Sequence, residues 1–269
     1  MADKKEVPLT LQKYLTDSKG HMTALGSSSD ILKYQWFIEN GVVVTTDHPD
    51  AFIKVGNEIL IIEHFAIDGY EEKEHVGSLA TYNERAIHTK LEKQELINGS
   101  KHITEQLGVK NSYQQFLDNC YHRFEHHYQQ IERYKQHLID EQIADVDSLY
   151  TVCFLMDEVS PIGTLTVDDD GCICPACLGY SKEFLDYFEK QTKVDWVISA
   201  VIIPEESSGW WRYEPYFFSR NDVADCRGRI VDYATFQFLE SNPNISETVF
   251  NIARLKHHGC GVNSEVSKE

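Results

Sequence analysis

The sequence predicts an α/β (α+β) fold: a central mixed sheet of about five strands flanked by helices, with a helical insertion. Three observations lead there. Five apolar, β-branched segments read as strands, at 42–46, 51–55, 58–65, 149–156 and 194–203. One long segment, 113–139, repeats apolar residues at helical spacing. Strands and helices do not alternate as regular βαβ units, which argues against a doubly wound sheet. With 269 residues the chain can bury a sizeable core, and no internal repeat divides it. It reads as a single domain, 1–269, with the helical insertion at about 70–142 and a C-terminal elaboration at about 205–269.

A short helix is expected at Leu9 to Thr16, followed by a Gly/Ser turn at 26–29. Ser29 or Asp30 is placed to cap a helix through Ile31 to Glu39, which Gly41 ends. Val42 to Thr46 is the first strand, and Asp47-His48-Pro49-Asp50 breaks it. Ala51 to Val55 and Glu58 to Phe65 form a hairpin about the Gly56-Asn57 turn. The nearly continuous apolar run of the second arm predicts a central strand covered on both faces.

Residues 70–110 are polar and charged, with a helix expected around Leu79 to Leu96. In the next helix Tyr113, Leu117, Cys120, Phe124, Tyr128, Ile131 and Leu138 share a face that must meet a core. Leu149 to Met156 is a strand, Asp168 to Gly171 a turn, and Lys182 to Lys190 an amphipathic helix. Val194 to Ile203 is the last strong strand, closed by Pro204. Residues 205–222 read as irregular, and the tail after Gly259 is polar.

Lys and Arg total 25 against 43 Asp and Glu, a net charge of −18. So negative a surface repels nucleic acid and anionic membrane, so a nucleic-acid partner requires a local groove or a bound cation. A protein partner suits it better, and no stretch is long and apolar enough for a membrane span. The charged N-terminus lacks a signal-peptide core, and the odd count of seven cysteines reads as reduced thiols. A cytoplasmic location is therefore expected. Oligomeric state is not readable.

The hairpin carries the most informative chemistry. Its length brings Asp50, at the start of one strand, beside Glu63, near the end of the next. Two convergent carboxylates suit a hard divalent cation, which can activate water and neutralise charge on a phosphodiester. Pro49-Asp50 followed by Glu63 resembles the PD-(D/E)xK nuclease superfamily over residues 42–65. The resemblance implies a restriction-endonuclease-like fold, with Asp50 and Glu63 as catalytic metal ligands for Mg²⁺ or Mn²⁺. It also implies a lysine two residues after the second acid, on the same strand face. Phe65 stands there instead, and His64 points to the opposite face. Either a lysine has migrated, Lys90 and Lys93 on the following helix being the candidates, or the site is inactive. The exonuclease-like branch of the superfamily adds Gln-x-x-x-Tyr on a helix beyond the third strand. Gln130 and Tyr134 match it and would position substrate from one helical face.

Other motifs compete. His122-x-x-Glu125-His126 has the order of a zinc metallopeptidase motif, although its face lies opposite the apolar stripe. Cys172, Cys174 and Cys177 could hold structural Zn²⁺ with a fourth ligand, or pack as small apolar residues. Trp210-Trp211-Arg212-Tyr213 could stack on bases or pack within a loop. Three functions follow: a metal-dependent nuclease acting on DNA or RNA, an inactive nuclease-fold module binding protein, and a zinc peptidase.

Overall fold

The structure, a computed structural model, describes residues 22–69, 72–73, 77–78, 104–108, 113–158, 165–167, 173–175, 177–204, 211–228 and 247–251. At its centre is a mixed sheet of seven strands. In chain order they are β1 (Thr23–Ala24), β2 (Val43–Thr45), β3 (Ala51–Val55), β4 (Glu58–Ile67), β5 (Leu149–Glu158), β6 (Trp196–Pro204) and β7 (Trp211–Ser219). Across the sheet the order is β1-β7-β6-β5-β4-β3-β2. β4, β5 and β6 run parallel, and β2, β3 and β4 form an antiparallel meander.

The five strands read from the sequence are all present, and two more extend the sheet. Trp211–Ser219, expected to be irregular, pairs antiparallel with β6 along its whole length, from Trp196↔Ser219 to Pro204↔Trp211. Thr23–Ala24 adds a short parallel edge to β7. Neither has a local signature: β7 is interrupted by Pro215, and two residues carry no periodicity. Cross-strand pairing decides both.

Helices cover both faces. α1 (Asp30–Asn40) lays Tyr34 and Phe37 on Ile53, Leu60, Ile62, Leu155, Trp196 and Phe217. Gly41 ends α1 where the chain passes close to β3, since a Cβ there would lie 2.2 Å from Ile53 Cγ2. On the other face lie α2 (Tyr113–Asp140), α3 (Lys182–Phe188) and α4 (Val223–Gly228). α2 buries Leu117, Cys120, Phe124, Ile131 and Leu138, the stripe its spacing predicts. Phe124 is fully buried and meets Phe154 edge-on at 4.7 Å. Ser181 caps α3 by accepting from Phe184 N–H at 3.1 Å. Three layers result, and β4 carries Ile59, Ile61, Phe65 and Ile67 toward α2 and Leu60 and Ile62 toward α1.

Smaller antiparallel pairs join 72–73 to 77–78, 104–108 to 247–251 and 165–167 to 173–175. The helices expected at 9–16 and 79–96 lie outside the described residues. Among the described residues no helix is long and apolar enough to cross a membrane.

Candidate functional site

The β3–β4 register places the two acids of the hairpin together. Gly56 takes φ +62°, the left-handed conformation that a two-residue turn needs. Pairing then runs from Val55↔Glu58 to Ala51↔Ile62, so Asp50 arrives beside Glu63. The Asp50 N–H donates to Glu63 Oε1 at 3.2 Å, and His64 N–H donates to Asp50 Oδ2 at 2.9 Å. β4 runs parallel to β5 and β6, so this cluster lies toward the carboxyl ends of the parallel strands, where ligand crevices form in open α/β sheets.

α2 supplies the facing groups. His127 Nδ1 lies 2.9 Å from Glu63 Oε2 and 3.5 Å from the Tyr134 hydroxyl. Tyr134 stacks near His48 at 6.4 Å. The imidazole of His127 lies parallel to the Phe65 ring, 4.6 Å away with 6° between planes. On the opposite face of β4, His64 Nε2 contacts Asp157 Oδ2 at 2.7 Å. The other Asp157 oxygen is buried, with no hydrogen-bond partner among the described residues.

The electrostatics follow from burial. Glu63 is only 3% exposed. Burial pushes its carboxyl above the usual range, the His127 hydrogen bond opposes this, and the Asp50 charge adds to it. Burial opposes protonation of His64, but Asp157, Asp50 and Glu63 outweigh it and raise its pKa. Burial, then Glu63, drive the Tyr134 hydroxyl upward, so it stays protonated.

Asp50 and Glu63 are the two side chains here that could hold a hard cation. Glu63 is a desolvated carboxylate beside a second one, and positive charge between them offsets both the burial and the repulsion. Among the described residues no three His, Cys, Asp or Glu side chains converge on one point.

The remaining sequence candidates fall elsewhere. Gln130 is half-buried and its Oε1 accepts from Arg133 at 3.5 Å, whereas the Tyr134 hydroxyl lies 3.5 Å from His127 Nδ1, beside Glu63. Lys90 and Lys93 lie outside the described residues. His122 and His126 are exposed, and Glu125 accepts from Gln129 and from the Tyr187 hydroxyl. Cys172 lies outside the described residues, as does the side chain of Cys174. Cys177 is 2% exposed within the α2-side core, and burial drives its thiol well up, against the thiolate that zinc requires.

His127 and Asp157 are participants that motif reading missed. His127 carries a visible signal: it falls three residues after Phe124 and four before Ile131, a polar side chain on the buried stripe. Asp157 follows an apolar run that already ends a parallel strand. Comparison with known proteins finds no family model, no curated protein and no solved structure that matches the chain.

Proposed function

We propose that the chain is a metal-dependent nuclease-like protein of restriction-endonuclease-like fold, hydrolysing phosphodiester bonds of DNA or RNA. The observation that carries this reading is the meeting of Asp50 and Glu63 through the Asp50 N–H···Glu63 and His64 N–H···Asp50 hydrogen bonds. Their placement adds support: Asp50 immediately precedes the second strand of a meander, Glu63 lies on the third, and the Gln130/Tyr134 helix follows the third strand. That is the arrangement the resemblance implies.

Asp50 and Glu63 would hold Mg²⁺ or Mn²⁺, which when bound polarises a phosphoryl oxygen and neutralises charge on it. His127 Nδ1 contacts Glu63 Oε2 at 2.9 Å and lies 3.5 Å from the Tyr134 hydroxyl, so both α2 side chains flank the buried carboxyl. The two acids thereby give an otherwise repulsive surface of net charge −18 a cation-dependent point of contact with a phosphate.

Isothermal titration with Mn²⁺, together with cleavage of single- and double-stranded DNA and RNA, tests the reading. The wild type should bind Mn²⁺ and cleave, and Asp50→Ala should lose both. Cleavage that survives Asp50→Ala refutes it. Phe65 favours a second reading, an inactive module of the same fold that binds protein, because an apolar ring stands where the lysine belongs. Mn²⁺ binding with no cleavage of any substrate would select it.

A further inference from the structure

α2 carries its charges in two sectors. Its acids, Asp118, Glu125, Glu132 and Asp140, follow one another at seven or eight residues. At about 3.6 residues per turn, that spacing keeps them within an arc of about 80°. Each is engaged on that side of the helix. Asp118 accepts from Gln114 and Asp140 from Gln136, both at 2.8 Å. Glu125 accepts from Gln129 and from the Tyr187 hydroxyl. Glu132 lies 3.4 Å from the Lys135 ammonium and 3.6 Å from that of Lys193.

The adjoining arc, again of about 80°, holds no acid. It carries Arg123, His126, Gln130, Arg133 and His137, and so both arginines of the helix. Its other border is formed by His127 and Tyr134, the side chains beside Glu63. The His126 ring meets that of His127 edge-on at 5.4 Å, so the strip runs on into the acid pair. His126 and Arg133 are exposed, and Arg123, Gln130 and His137 are half-buried. Among the described residues Arg133 forms no ion pair, and its hydrogen bond is to Gln130 Oε1 at 3.5 Å.

Charge complementarity decides what this strip fits. The chain carries 43 acids against 25 Lys and Arg, so most of its surface repels a polyanion. A phosphodiester strand can approach the acid pair only where no carboxylate lines its way. At about 1.5 Å per residue, Arg123 lies about 6 Å before His127 along the axis and Arg133 about 9 Å after it. The two guanidinium groups thus bracket the acids. Resting on the nuclease reading, we infer that this strip of α2 is the track for the nucleic-acid backbone, with Arg123 and Arg133 binding phosphates on either side of the one held at Asp50 and Glu63. Guanidinium suits this role because its planar fork pairs with two phosphate oxygens. The imidazoles and the Gln130 amide add donors to phosphate or sugar oxygens. Such contacts position a strand without reading its sequence.

Fluorescence anisotropy with a labelled single-stranded oligonucleotide, in EDTA to prevent cleavage, measures binding along the strip. Between about 50 and 200 mM salt, log affinity should fall linearly with log salt. Arg133→Gln should weaken binding about tenfold. It should also make the slope shallower by about 0.7, the share of one phosphate contact to a single strand. Oligonucleotides of different sequence should lose affinity alike. Arg133→Lys keeps the charge and should keep the slope. Arg227→Gln removes the same charge from the Asp186 and Glu189 pairs on α4, and should leave the slope at its wild-type value. Because Arg133 is exposed, Arg133→Gln should melt at the wild-type Tm, which assigns any loss of binding to the lost contact. No binding by the wild type at about 50 mM salt, a wild-type slope in Arg133→Gln, or an equal loss in Arg227→Gln would each overturn the inference. Cleavage under Mn²⁺ with a KM unmoved by Arg133→Gln would overturn it and leave the nuclease reading standing. Binding that depends on Arg133, with no cleavage under Mn²⁺, would uphold the strip and end the nuclease reading.

Discussion

Replacing Glu158 by glutamine should remove a pH dependence built into the core. Glu158 ends β5 and is 8% exposed. One carboxyl oxygen accepts from Leu178 N–H at 3.0 Å and from the Ser199 hydroxyl. Both donors favour the carboxylate, but burial is the larger effect, and the pKa rises from 4.5 to about 7. A folded value above the unfolded one fixes the sign. The contribution is fully present below pH 4.5 and is lost as pH rises through about 7, because the unfolded chain ionises first. At about 1.4 kcal/mol per pH unit, the interval from 4.5 to 7 corresponds to about 3 kcal/mol. Glutamine keeps the acceptor oxygen and never ionises. Guanidinium unfolding of both proteins, from about pH 4 to about pH 9, should give curves that diverge through this interval and then run parallel. Relative to its value at low pH, Glu158→Gln should gain about 3 kcal/mol, or roughly 6–12 °C in Tm for a chain of this size. A stability difference that does not change with pH would show that the buried carboxyl is not held neutral, and would refute the reasoning.

Two further outcomes test other parts of the fold. Gly26→Ala should destabilise the protein by about 3 kcal/mol in thermal denaturation, because its Cβ would lie 1.9 Å from Asp222 Oδ1. Asp222 cannot step aside, since it accepts from Ser28 N–H, the Ser28 hydroxyl and Ser219 N–H, each at 2.9 Å; an unchanged Tm would mean that the 26–30 loop is not anchored there. His64→Ala should cost about 3–5 kcal/mol by leaving the buried Asp157 carboxylate without its imidazole. Adding Asp157→Asn should recover part of that loss in chemical denaturation, and a double variant no more stable than the single one would show that the pair is not coupled.

Much of this protein was legible along the chain. Five sheet strands and the α1, α2 and α3 helices could be read because local periodicity dictates each of them: alternation or apolar runs for strands, and the Leu117-Cys120-Phe124-Ile131 spacing for α2. The approach of Asp50 to Glu63 was equally local, since a two-residue turn at Gly56-Asn57 fixes hairpin register without help from the rest of the molecule. The edge of the sheet was not legible. Trp211–Ser219 is a strand because β6 offers an unpaired row of N–H and C=O groups, and Thr23–Ala24 is one because β7 then does the same. Nor was the completed site. His127 lies 64 residues from Glu63, and Asp157 lies 93 from His64. Only packing of α2 across β4, and parallel pairing of β5 beside it, brings these side chains within hydrogen-bond distance. Hairpin geometry is a property of neighbouring residues, whereas the partners of a buried carboxylate are set by whichever distant elements cover it.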